Sequence, residues 1–202
     1  MDPLLRANLE RGRASGTSAP SNCPPETCSH RKRDGTILMQ DDAQDDLVVI
    51  SQASGASLDD LPGYAYDSMG GQGITVYVFD SGLYPAHEVS VTDISESIRL
   101  THFQQFSNMQ TRIRWIFLPN EAQIESDEGG HGTCVTSKVS STTFGVAKNV
   151  NIVVVKIYAI DDYIAPSRYI EACAIVARDI ESNGLQGKAV ICSTLNGEQS
   201  RS

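Results

Sequence analysis

Four mostly apolar runs along the chain predict buried β-strands. They occupy residues 74–80, 112–118, 151–157 and 188–195, and the third run is rich in β-branched side chains. Short runs of this kind are typical of strands that are covered on both faces, as in a parallel sheet. We therefore expect a sheet built largely from these four segments.

Segments with helical character lie between these runs. One begins at His131 and runs to about residue 139, and a longer one covers residues 167–180. Asn183-Gly184 follows the longer segment, and glycine just past a last helical turn accepts the left-handed conformation that ends many helices. A shorter apolar run, residues 47–50, predicts a further strand. Strands that alternate with helices favour an α/β fold, a layered parallel sheet with right-handed crossovers.

The first 46 residues differ from the rest in composition. They are rich in Ser, Pro, Gly, Arg and Asp and show almost no periodic apolar pattern. Such a segment cannot bury enough apolar surface to offset the conformational entropy lost on ordering. The predicted organisation is therefore a disordered polar segment, residues 1–46, followed by one α/β domain, residues 47–202. The first thirty residues also lack the apolar stretch of a secretory signal.

The charge and hydropathy of the chain argue against two classes of partner, nucleic acids and membranes. The 202-residue chain has a net charge of −9, and residues 1–33 hold six basic residues against three acidic ones, so the remainder carries −12. An acidic body lacks the basic face that binds phosphate backbones, so no nucleic acid partner is expected. No run of about eighteen apolar residues occurs, so no membrane-spanning helix and no membrane partner are expected either.

The cysteines leave several readings open. Five occur in the chain: Cys23, Cys28, Cys134, Cys173 and Cys192. The last three lie in apolar surroundings and are expected to be small buried side chains. The first two flank Pro-Pro-Glu-Thr and either close a small loop or, with His30, form part of a metal site. No fourth ligand stands at a recognisable spacing, so no metal ligand is assigned.

Two short motifs carry the candidate chemistry. Asp80-Ser81-Gly82 ends the first apolar run, and Gly130-His131-Gly132-Thr133-Cys134 opens the first helical segment. Binding sites of parallel α/β sheets form beyond the carboxyl ends of the strands, which is where Asp80 stands. Taken alone, Asp80 is also consistent with a local turn cap, and a lone histidine is usually a satisfied or surface residue. The two motifs together indicate an aspartate–histidine pair.

In this order and context, the motifs resemble those of the subtilisin-like serine proteases, and in particular the fungal enzymes. The resemblance covers residues 47–197 and rests on four further stretches as well as the two motifs. These stretches are Tyr64-Ala-Tyr-Asp67, Phe144-Gly-Val-Ala-Lys148, Ile152-Val-Val-Val-Lys156 and Gly187-Lys-Ala-Val-Ile191. It implies a parallel-sheet, three-layer α/β sandwich of subtilisin type, with residues 47–202 as the N-terminal portion of the catalytic domain.

The resemblance also implies roles for individual residues. Asp80 would orient the imidazole of His131, and His131 would act as the general base and then the general acid. Thr194, Leu195, Asn196 and Gly197 would form the strand segment that binds substrate backbone, with Asn196 standing where the family has glycine. The family implies peptide or protein substrates, an extracellular location and calcium, for which no ligands can be assigned here.

The third member of a serine protease triad is missing from the pattern. Only 71 residues follow His131, and none of their serines stands in the family's Gly-Thr-Ser-Met-Ala context. The family's oxyanion-hole asparagine would also lie beyond Ser202. The prediction is therefore a serine endopeptidase by resemblance that is inactive as the chain is given. The alternative is a non-catalytic pseudoprotease, or a remnant that binds peptides or proteins.

Overall fold

The computed structural model describes residues 35–57, 60–86, 88–89, 103–104, 106, 109–157 and 164–194. Eight strands occur in these ranges: β1 Ile37–Gln40, β2 Tyr64–Asp67, β3 Thr75–Asp80, β4 Glu88–Val89, β5 Phe103–Gln104, β6 Ile113–Phe117, β7 Asn151–Lys156 and β8 Ala189–Ser193. Three α-helices accompany them: α1 Asp45–Ile50, α2 His131–Ser140 and α3 Pro166–Ser182.

The centre of the molecule is a four-stranded parallel sheet in the order β6-β7-β3-β8. All four predicted strands are therefore present, and they pair with one another. β3 lies inside the sheet, with Thr75 opposite Asn151 of β7 on one side and opposite Ala189 of β8 on the other. This position explains the continuous apolar character of β3, since every residue from Thr75 to Asp80 is buried.

The two faces of this sheet are covered by different helices. Alternate residues of β3 and β7 separate into two clusters, because successive side chains of a strand point to opposite faces. Tyr77, Phe79, Val153 and Val155 pack with Ala172 and Val176 of α3. Val76, Val78, Ile152 and Val154 pack on the other face with Val135 and Val139 of α2. The result is an α/β fold in three layers, which confirms the predicted fold class.

Helix α3 begins and ends at residues suited to those positions. Pro166 occupies the first turn, where its missing N–H costs nothing. At the other end, Gly184 has φ +62°, and the N–H groups of Gly184 and Leu185 bond back to the carbonyls of Glu181 and Ile180. These two hydrogen bonds satisfy carbonyls that the helix end would otherwise leave unpaired. No helix in the described ranges is both long and apolar enough to cross a lipid bilayer.

Two predictions about the N-terminal region need correction. Residues 47–50 are the end of helix α1 and not a strand; a four-residue apolar run cannot be told from a buried helical turn by its pattern. Asp45 and Asp46 favour the helix because they place carboxylates in its first turn. The predicted disorder of residues 1–46 does not hold for residues 37–40, since these residues form β1, which pairs antiparallel with β2. The part of that prediction covering residues 1–34 lies outside the described residues.

Contacts with the sheet region explain why residues 37–50 are ordered despite their polar surroundings. The Gln40 side chain donates to the carbonyl of Thr143, and the Tyr64 hydroxyl donates to the carbonyl of Val146. Leu47 and Val48 are buried. The two hydrogen bonds join residues 103 and 82 positions apart, so a composition window could not reveal them.

Candidate active site

Asp80 is a fully buried carboxylate at the carboxyl end of β3. The backbone N–H of Ser81 donates to its Oδ1 at 2.8 Å, and the hydroxyl of Thr194 donates to its Oδ2 at 2.9 Å. A buried carboxylate is costly unless such donors replace water. The alternation of β3 places Asp80 on the face covered by α2, the helix whose first residue is His131.

His131 meets this carboxylate directly. Its Nδ1 lies 2.8 Å from Asp80 Oδ1 and 3.0 Å from Oδ2. The carboxylate accepts hydrogen bonds only, so in the neutral ring the proton lies on Nδ1 and the lone pair lies on Nε2. The imidazole is half-exposed, with 52% of its side chain accessible, while the carboxylate beside it is inaccessible. A base held from behind by a buried acid can accept a proton from a group approaching through solvent.

Glycines allow the two motifs to approach this closely. A Cβ on Gly132 would overlap the carbonyl oxygen of Gly82, and a Cβ on Gly82 would overlap the carbonyl oxygen of Ser126. Gly130 adopts φ +74°, a left-handed conformation that few other residues tolerate. The start of α2 therefore rests against the exit of β3 with backbone on backbone, and this contact sets the position of His131.

A second aspartate, Asp127, joins the site and was missed at the sequence level. Its Oδ1 accepts hydrogen bonds from the hydroxyl of Ser81 at 2.7 Å and from the N–H of Gly130 at 3.0 Å. Its Oδ2 accepts from the N–H and the hydroxyl of Thr133, at 2.7 and 2.6 Å. Burial acts to raise the pKa of Asp127, but the hydrogen bonds from Thr133 and Ser81 outweigh it and hold that pKa below its usual range. A signal for this residue was present, since an aspartate shortly before a helix often accepts its first N–H groups.

The predicted substrate-binding segment is described only at its first residue. Thr194 follows β8, and its side chain bonds to Asp80. That contact joins the end of β8 to the carboxylate and identifies Thr194 as a support for Asp80. Leu195, Asn196 and Gly197 lie outside the described residues, so substrate binding by this segment stays a prediction.

The cysteine prediction was only partly right. Cys134 is exposed and not buried, because it lies one helical turn after His131 on the same open side of α2. Cys173 and Cys192 are partly buried. Burial, and then the nearby Asp80 carboxylate, raises the pKa of the Cys192 thiol. The other two cysteines and His30 lie outside the described residues.

No metal ligand set is found in the ranges that the structure describes. Within them, no group of three or more His, Cys, Asp or Glu side chains is placed to hold an ion. The calcium that the resemblance implies stays a prediction without assigned ligands.

Comparisons with known proteins place the chain among curated fungal proteins. No family model matches it. Subtilisin-like protease 1 of Pseudogymnoascus destructans is 32% identical over 137 residues, which is 68% of this chain and 28% of that protein. Subtilisin-like protease 10 of Arthroderma otae is 33% identical over 138 residues, or 68% of this chain and 29% of that protein. The chain thus spans less than a third of the length of the curated relatives it matches.

Among solved structures, the protease CspB of Clostridium perfringens is similar to 65% of this chain and to 30% of its own chain. The TM-score is 0.46 and the sequence identity is 19%.

Proposed function

Because the chain belongs to the subtilisin-like serine protease family, we propose that it supplies the aspartate and histidine of a serine endopeptidase active site. The observation that carries this proposal is the contact between His131 Nδ1 and the buried Asp80 carboxylate at 2.8 Å. The substrates would be peptides or proteins, and an extracellular location remains a prediction.

The geometry supports a different role for each of the two residues, Asp80 and His131. Asp80 holds the imidazole in the tautomer that leaves the Nε2 lone pair toward the reacting groups, and it stabilises the imidazolium that forms. His131 takes the proton of a serine hydroxyl as that oxygen attacks the scissile carbonyl. It then returns the proton to the leaving amine. The partial exposure of His131 beside a buried acid suits this exchange.

The nucleophile is not found among the described serines close to the pair. Ser81 is the nearest in sequence, but its hydroxyl donates to Asp127 and accepts the N–H of Gly132 at 3.1 Å. It also lies against the Asp80 carboxylate, on the Nδ1 side of the ring. Ser140 and Ser141 are fully buried. We therefore propose that the 202-residue chain by itself does not hydrolyse peptide bonds.

A fluorophosphonate probe, which phosphonylates activated serines, tests this proposal on the purified chain. We expect no labelling, both in the natural sequence and in His131→Ala. Labelling that disappears in His131→Ala would show that the chain contains a complete triad and would contradict the proposal.

A chimera tests whether the pair is competent. Residues 47–194 would replace the matching segment of the mature Pseudogymnoascus destructans relative, which retains its own following segment. We expect peptide hydrolysis by this chimera and a loss of about 10⁶-fold in kcat on His131→Ala, since the triad members act as a unit. A chimera that folds but hydrolyses no better than its His131→Ala variant would contradict the proposed role.

A second candidate function is peptide or protein binding without turnover. β8 is an end strand of the described sheet, and its Val190 and Ile191 are 52% and 46% exposed. An end strand of this kind can accept an extended segment by main-chain pairing. Saturable binding of an extended apolar peptide, weakened by Val190→Lys and unchanged by His131→Ala, would favour this function.

A further inference from the structure

We propose that Asp127 is a positioning residue for the Asp80–His131 pair, and this inference rests on the proposed function. The hydrogen bonds of Asp127 go to residues next to Asp80 and His131 in the two motifs. Asp127 acts on both through their neighbours, because it bonds to the residue after Asp80 and to the residues on either side of the His131-Gly132 segment.

The two oxygens of Asp127 hold different parts of the site. Oδ2 is occupied by Thr133, whose N–H and hydroxyl both donate to it. Oδ1 bridges the two motifs, since it accepts from Ser81 in the β3 exit and from Gly130 just before α2. A carboxylate can accept all four of these hydrogen bonds, because both of its oxygens are acceptors. An asparagine in the same place would keep one acceptor oxygen, and its NH₂ group would face other donors.

Ser81 extends the network to the catalytic carboxylate. Its hydroxyl donates to Asp127 and accepts the N–H of Gly132, while its backbone N–H donates to Asp80 Oδ1. Asp80 in turn accepts from His131. The bonds therefore close a ring that runs through Asp80, Ser81, Asp127 and the start of α2 and returns to Asp80 through the imidazole.

Thr133 extends the network to the chain that leaves the site. Its hydroxyl donates to Asp127 and accepts the N–H of Tyr84 at 3.0 Å. Three backbone segments, residues 81–84, 127–130 and 131–133, are thus held by one carboxylate. The glycines in these segments offer little resistance to rotation by themselves. Without Asp127, the direction of the His131 ring relative to Asp80 would be set by far fewer contacts.

Nuclear magnetic resonance of the imidazole tests this inference without any need for activity. In ¹⁵N-labelled chain, we expect a downfield Nδ1–H signal for His131 and ¹⁵N shifts of the Nδ1-protonated tautomer. Asp127→Ala should remove the downfield signal and shift the ring toward a mixture of tautomers. Asp127→Asn should retain part of the signal, because the amide oxygen still accepts one set of bonds while its NH₂ faces donors.

Asp179→Asn provides a matched control. Asp179 is also an aspartate of low exposure with several donors, but it lies on α3 and touches neither motif. This variant should leave the His131 signals unchanged even where its thermal stability falls. A native-like amide spectrum for β3 and β7 would show that each variant is folded.

If Asp127→Ala does not fold, Ser81→Ala gives the decisive measurement. It removes the bridge from Asp127 to the Asp80 motif but keeps all bonds from Asp127 to α2. We expect a weakened but detectable Nδ1–H signal. Unchanged His131 signals in a folded Asp127→Ala, or in both Asp127→Asn and Ser81→Ala, would overturn the proposal.

The chimera separates this inference from the proposed function. There Asp127→Ala should lower kcat about 10²-fold with little change in KM, as expected for a misplaced catalytic group. A chimera without activity would count against the proposed function, whereas the resonance results on the isolated chain would still decide the role of Asp127.

Discussion

Two aspartates of low exposure lie over opposite faces of the central sheet, and their partners differ in kind. Asp80 faces α2 and binds the imidazole of His131, a side chain that can accept and donate a proton. Asp179 is on α3 and binds both terminal nitrogens of Arg114 at 2.8 and 2.6 Å, and it accepts the hydroxyl of Tyr77 at 2.6 Å. Arginine stays charged at all working pH values.

The two carboxylates differ in whether their charged partner is permanent. The guanidinium of Arg114, with further help from Tyr77, holds the pKa of Asp179 below its usual range, so this pair is a fixed cross-link between β6 and α3. Asp80 accepts hydrogen bonds from the N–H of Ser81, the hydroxyl of Thr194 and the ring of His131, an arrangement in which a carboxylate can stabilise an imidazolium. Under the proposed function, one residue type serves structure on one face of the sheet and chemistry on the other, and the partner decides which.

The largest expected effect separates the two carboxylates by activity. In the chimera, Asp80→Asn should lower kcat about 10⁴-fold, because the amide favours the wrong imidazole tautomer. Asp179→Asn in the same chimera should change kcat less than about twofold, because Asp179 binds Tyr77 and Arg114 and contacts neither motif. Equal losses in the two variants, measured by peptide hydrolysis under conditions where both are folded, would remove the distinction.

A smaller effect concerns the stability of the structural pair. Arg114→Ala should lower the free energy of unfolding by about 2 kcal/mol, because Asp179 keeps its low exposure but loses its charged donor. Urea unfolding followed by circular dichroism measures this. The control is Arg178→Ala, at an exposed position of helix α3 next to Asp179. It should change the free energy of unfolding by less than about 0.5 kcal/mol.

The smallest effect appears at alkaline pH. Burial and the hydrogen bond to Asp179 raise the pKa of Tyr77 from 10.0 to about 12. The unfolded chain therefore loses this proton first, so the stability contributed by Tyr77 is complete below pH 10 and is lost as pH rises toward 12. At pH 10.5 the loss should be about 1 kcal/mol. Tyr77→Phe should remove that part of the decline, and a profile identical to the natural chain would show that Tyr77 does not hold its proton.

The sequence predicted the parts of the fold whose physical cause is local. Strands β3 and β7 could be recognised because burial on both faces demands an unbroken apolar run. The end of α3 could be placed because Gly184 suits a left-handed turn. Helix α1 was mistaken for a strand because four apolar residues fit either structure. Its helical form depends on the acidic first turn and on contacts with distant residues.

The residues of the candidate site also separate into those that local sequence predicts and those that depend on distant contacts. Asp80 and His131 were predicted because each stands in a motif of distinctive residues. The bond from Thr194 to Asp80 spans 114 positions and exists only because β8 pairs with β3. Asp127 stands in the polar stretch Glu125-Ser-Asp-Glu128, and its position shortly before a helix is a weak signal because two other acids stand beside it. Only the folded loop shows which carboxylate points at Ser81 and Thr133.

The contact between Gly132 and Gly82 has a consequence at the level of the gene. Every amino acid reachable from a glycine codon by a single base change carries a β-carbon. At position 132 that carbon would overlap the carbonyl oxygen of Gly82. No one-step missense mutation there spares the contact, so drift at this codon would be confined to synonymous changes for as long as His131 is under selection.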